Sequence, residues 1–212
     1  MKLRFSALCL SVILLVSLCA CVAEKEDDRL VGTWSLIAVD TPAQAEKLLS
    51  HSDLYEEEIA VVNKNNLCIV KTLQFSGDKT YRFGYDTEGT KACVRKFYTE
   101  VFSDLYTNRS ALTGLYEEDI SNLSQEDFYL FYAKLYGTDS FSGLIEKFTN
   151  ISYDYQALAQ NTEAGTYKIV GEKLLTTKTG ESMPGALTYE IDGSTLTLHY
   201  SDATETYTKT EN

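Results

Sequence analysis

Apolar and polar positions along this chain follow three different rhythms. Across residues 5–18 the side chains are almost continuously apolar, with Ser6, Ser11 and Ser17 the only hydroxyl residues. Two later stretches instead alternate with a period of two, as expected of strands with one buried face. The first stretch comprises residues 33–39 and 67–75, then Tyr81, Phe83 and Tyr85, with Ser76-Gly77-Asp78-Lys79 as a hairpin turn. The second begins at residues 167–170, passes through Gly171-Glu172 into residues 173–177, and continues with Leu187, Tyr189 and Ile191 on one face. Leu196, Leu198 and Tyr200 follow on one face of the next strand, and residues 204–210 close the series. Asp192-Gly193 is a strong two-residue hairpin signal.

Between the two stretches the period changes. Within residues 92–160, Val94, Phe97, Tyr98, Val101, Phe102 and Leu105 recur at helical spacing and form one apolar stripe. Ser124 is a candidate N-cap with Asp127 at N3, and Leu123 and Phe128 stand where a hydrophobic staple would form. Residues 141–148 read as a further helix, and residues 41–50 as an earlier one with Pro42 in its first turn. The expected fold is mainly β with an α-helical insertion of three or four helices at about 92–160. Its strands number about eight and are mostly sequential neighbours, so they form an antiparallel meander that closes into a barrel. A barrel of that size holds packed side chains or one small ligand.

The N-terminus carries an address. Lys2 and Arg4 precede the apolar run, the build of a secretory signal. That run is shorter than the roughly 20 residues that cross a bilayer as a helix. Leu18-Cys19-Ala20-Cys21 resembles the bacterial lipobox, in which the thiol of the final cysteine receives lipid before the leader is cut away. Cys19 would place Leu18 at the cleavage position, and Cys9 lies inside the apolar run, so Cys21 is the expected acceptor. The resemblance implies a signal peptide over 1–20, a lipidated tether over 21–29 and one domain over 30–212. It also implies a chain anchored to the outer face of the cell membrane through lipid on Cys21. Two or three acyl chains provide the multi-chain anchoring that one cannot.

Loss of the leader removes Lys2 and Arg4 from the 19 basic residues, leaving 17 against 31 acidic ones and a net charge of −14. Nucleic acid is therefore an unsuitable partner, because phosphate binding needs a basic surface. Cys68 and Cys93 are the remaining cysteines. In an exported protein they form either a disulfide or two separate buried thiols. His51 and His199 are the only histidines and no CxxC spacing occurs, so no metal site is expected.

Leu30-Val31-Gly32-Thr33-Trp34 at the head of the first strand resembles the Gly-x-Trp opening of the lipocalin and wider calycin group, especially the lipocalin-like domains of bacterial lipoproteins. The segments at 165–169 and 189–198 resemble that family's closing strands; the helical insertion departs from it. The resemblance implies a structural role for Trp34, which closes one barrel end against a late basic residue, here Lys209.

No catalytic residues are expected. The chain lacks a G-x-S-x-G elbow, and two histidines leave a hydrolase little to build on. Glu56-Glu57-Glu58 and Glu117-Glu118-Asp119 read as solvated surface, since consecutive acids point in different directions and neither run has a calcium-loop spacing. No cofactor is implied. Two functions follow as expectations. One is binding of a small apolar or amphipathic ligand by the barrel or its mouth. The alternative is a protein-interaction or envelope-scaffolding module whose partner meets the tyrosine-rich insertion.

Overall fold

The computed structural model describes residues 24–210. The expected leader at 1–20 and the expected lipid acceptor Cys21 lie outside the described residues.

The strands are β1 (Glu24–Lys25), β2 (Gly32–Val39), β3 (Cys68–Phe75), β4 (Thr80–Tyr85), β5 (Glu163–Val170), β6 (Lys173–Lys178), β7 (Gly185–Asp192), β8 (Thr195–His199) and β9 (Thr204–Lys209). They hydrogen-bond in the order β5-β4-β3-β2-β9-β8-β7-β6, and β6 pairs back onto β5. The result is a closed antiparallel barrel of eight strands in which every chain neighbour is a spatial neighbour. Closure removes the free edges that an open meander would expose. Short β1 is the ninth strand: Glu24 pairs with Val170 and Lys25 with Ile169. Part of the stretch expected as a free tether is therefore already sheet.

Two excursions carry the helices. Between β2 and β3 lie α1 (Pro42–Ser50) and α2 (Glu56–Ala60). Between β4 and β5 lie α3 (Thr87–Thr107), α4 (Gln125–Leu135), α5 (Phe141–Ser152) and α6 (Tyr155–Gln160). Thr41 caps α1, with Pro42 in the first turn where its missing N–H costs nothing. Ser124 caps α4 by accepting from the Asp127 backbone. The long helix starts at Thr87, earlier than the expected 92, because the Asp86 side chain accepts from Gly89 N and caps it there. α2 had no counterpart in the sequence pattern, since five residues are too few for a helical period to declare itself.

The chain divides into two compact units. The barrel unit holds residues 24–34, 73–82 and 163–210. On its inner face Leu196 stands opposite Tyr207, and Leu174 opposite both Ile169 and Leu187. Gly165 allows β5 and β6 to approach closely, for a Cβ there would lie 2.1 Å from the Thr177 carbonyl oxygen. The helical unit holds residues 35–72 and 83–162. It has its own core, in which the whole α3 stripe of Val94, Phe97, Tyr98, Val101, Phe102 and Leu105 is buried with Phe128, Tyr132 and Phe148.

Candidate functional site

The barrel interior is the first place a ligand would be sought. Trp34, Leu174, Leu196 and Tyr207 have no exposed surface, and Phe75, Ile169 and Leu198 almost none. A lumen with room for a ligand would leave its lining open to a water-sized molecule, so the space around these side chains is packed. Trp34 donates from Nε1 to the Leu30 carbonyl at 2.8 Å. The Lys209 ammonium lies 5.0 Å from the centre of the Trp34 ring and donates to the Arg29 carbonyl at 3.1 Å. Its stem also fills the space beside Gly32, whose φ of +138° and 2.7 Å approach to Lys209 Cε leave no place for a side chain.

Two carboxylates in this unit are held by neighbours. The Glu163 carboxyl lies below the usual carboxylate range because the Tyr81 hydroxyl donates to it at 2.7 Å, with Lys178 at 3.1 Å. Asp27 is held at about 2 by the hydrogen bonds of the Arg29 guanidinium, with the Tyr189 hydroxyl adding a third donor. Both arrangements are structural ties between strands or turns.

The helical unit corrects one expectation. Glu56 and Glu57 are exposed, but Glu58 has no exposed surface. One oxygen of Glu58 accepts from the hydroxyls of Tyr116, at 2.6 Å, and of Tyr132. The other accepts from the Tyr55 backbone N–H at 2.8 Å. Three donors replace the water this carboxylate gives up, which is the condition for burying a charge. Burial first, and the neighbouring carboxylate second, push both tyrosine hydroxyls far above their ordinary range.

The other tyrosines of the insertion also turn inward. Tyr98 has no exposed surface, and Tyr129 stacks on Phe141 with ring centres 4.0 Å apart. Tyr106 packs against Phe128, and Tyr136 against Phe148. Their abundance serves an aromatic core more than a surface. Tyr55, half exposed, is the outward exception among the tyrosines of this unit.

A cleft of about 270 Å³ opens in the helical unit where the C-terminal ends of α1 and α5 meet the middle of α3. Its polar lining comes from Tyr98, Tyr153, Ser52, Ser152, Lys47, Gln44 and His51; Leu48 and Ile151 supply its apolar surface. Ser52 donates its proton to the Leu49 carbonyl at 2.5 Å, and Ser152 donates to the Phe148 carbonyl at 2.6 Å. The Ser152 hydroxyl also donates toward the Tyr98 hydroxyl oxygen, 3.2 Å away. Burial pushes this tyrosine up to about 12, so it is a neutral donor at any physiological pH. The cleft therefore combines hydroxyl, amide and ammonium groups with an exposed apolar Ile151. Nothing in the sequence periodicity singles it out, because its residues come from three helices and two helix ends.

Of the remaining expected residues, His51 lines the cleft and Cys68, Cys93 and His199 do not. Cys68 at the head of β3 and Cys93 in α3 are joined by a disulfide, with Cα atoms 5.6 Å apart. His51 caps α1 and bonds the Lys47 carbonyl through Nδ1 at 2.6 Å. His199 on β8 meets Thr204 Oγ1 at 3.3 Å and stands 3.8 Å from the Glu190 carboxylate. Among the described residues no group of three or more His, Cys, Asp or Glu side chains is placed to hold a metal ion. None of the described helices is long and apolar enough to cross a membrane. No family model, curated protein or solved structure matches the chain.

Proposed function

We propose that this chain is a lipid-anchored, extracytoplasmic lipoprotein of lipocalin-like type. It binds a small amphipathic ligand in the helical cleft and not inside the barrel. The observation that carries this reading is the make-up of the cleft: the polar groups of Ser52, Ser152, Tyr98, Gln44 and Lys47 stand beside the apolar Ile151 and Leu48. A ligand with a small polar head and a short apolar body suits both kinds of surface. The packed side chains around Trp34 and Tyr207 favour this place over the lumen. Export has support independent of the leader, since disulfides such as Cys68–Cys93 persist in oxidising compartments and are rare in the cytosol. The role proposed is binding without catalysis.

The test is native mass spectrometry of the protein purified from its own membrane without denaturation. A bound small molecule is expected in the wild type and lost in Ile151→Trp, which fills the cleft from an exposed position. Retention of the same adduct by that variant would move the site elsewhere.

A second reading rests on a different observation. Tyr55, Leu130 and Leu135 are exposed, and two shallow depressions of the helical unit share Leu135. Exposed apolar clusters mark protein contacts. Leu135→Glu would abolish capture of a partner through this patch and leave the small-molecule adduct intact.

A further inference from the structure

The position of β1 determines which end of the barrel can face a membrane. Glu24 pairs with Val170 and Lys25 with Ile169, so β1 lies at the end of β5 that leads into the Gly171-Glu172 turn. Because the pairing is antiparallel, the chain enters β1 from beyond that end. Three residue steps separate Cys21 from Glu24. Fully extended, they reach only about 10 Å.

We infer that lipid on Cys21 holds the barrel end carrying the turns at 76–79, 171–172 and 193–194 against the membrane surface, within about 10 Å of the headgroups. The inference rests on the lipidation proposed above. Had residues 21–29 been a free tether, nine residues would span about 30 Å and the body could turn in any direction. Pairing of β1 with β5 removes most of that freedom.

The chemistry of this end sets the kind of contact. Asp28, Asp78, Glu172 and Asp192 are exposed here. Two of its cations are already engaged, Arg29 with Asp27 at 2.8 Å and Lys79 with Glu26 at 3.5 Å. None of the exposed large apolar side chains of the described residues belongs to these turns. Lys173 beside the 171–172 turn is a further, exposed cation, but the exposed acids Asp28, Asp78, Glu172 and Asp192 outnumber it, so the covalent leash is the main tie to the surface. A depression of about 510 Å³ beside Asp27, Gly171 and Tyr189 lies at this end of the barrel.

The test uses the full chain, lipidated in its host and reconstituted in vesicles. Cys68 and Cys93 are paired and Cys21 is capped, so one added cysteine carries the only reactive thiol. Glu172→Cys and Asp78→Cys place a fluorophore at the turn end; Met183→Cys and Asp202→Cys place it in the hairpins at the opposite strand ends. Strands of five to eight residues separate the two ends by about 20 Å. A headgroup-borne quencher is expected to quench the first pair several-fold more than the second, on neutral and on anionic vesicles alike. Inserting twelve Gly/Ser residues after Ala23 is expected to erase the difference. Equal quenching at both ends, with the acyl mass present on Cys21, overturns this inference alone. Absence of the acyl mass overturns the lipoprotein reading and this inference with it.

Discussion

At the residue scale, Glu58 holds a carboxylate inside the helical unit with Tyr116, Tyr132 and the Tyr55 backbone as its donors. Removing it leaves two buried hydroxyls without an acceptor. Glu58→Ala is therefore expected to cost about 3 kcal/mol in urea unfolding, against less than about 0.5 kcal/mol for the exposed neighbour Glu57→Ala. A second residue sets a pH dependence. The Arg29 hydrogen bonds lower Asp27 from 3.8 to about 2 in the folded protein. A depressed carboxyl contributes stability that is present above its unfolded value and lost as pH falls through the folded one. The barrel unit should accordingly lose stability between about pH 4 and pH 2, and Asp27→Asn should show a flatter melting-temperature profile across that window. A profile for Asp27→Asn as steep as the wild type would show that other carboxyls dominate.

At the scale of elements, the long patterns were legible and the short ones were not. The α3 stripe is long enough for its period to be visible, and all six of its apolar residues are buried. The Ser124 cap could be found because its side chain bonds backbone only three residues ahead. Glu58 could not, because its partners lie 58 and 74 residues away and nothing local distinguishes it from Glu57. The cleft was hidden for the same reason. The disulfide belongs to this scale too, for it ties the head of β3 to α3 across 25 residues. Cross-linking a loop of that length restricts the unfolded chain by about 3 kcal/mol. Reduction, or Cys93→Ala, is expected to lower the melting temperature of the helical unit by several degrees. An unchanged melting curve in reductant would show that packing alone holds these elements.

For the whole molecule, the proposed leader and the charge bear on one another. With residues 1–20 removed the net charge is −14, which gives the body no electrostatic reason to sit on an anionic membrane, so the proposed attachment rests on lipid at Cys21. Cys21→Ser is expected to shift the protein from the membrane to the soluble fraction while leaving its thermal stability unchanged; a variant still sedimenting with membranes would point to another anchor. The sequence by itself determined the eight alternating strands, their meander order and the helical insertion, because each depends on periodicity and turn chemistry among near neighbours. It also carried the Gly32-x-Trp34 opening and the late Lys209. Only the tertiary structure decided which side chains fill the barrel, that Glu58 is buried, and that Tyr98, Ser52 and Ser152 share a cleft. Only there does β1 prove to be sheet. These features depend on contacts between residues far apart in the chain, and a period measured along the sequence carries no information about which distant surfaces will meet.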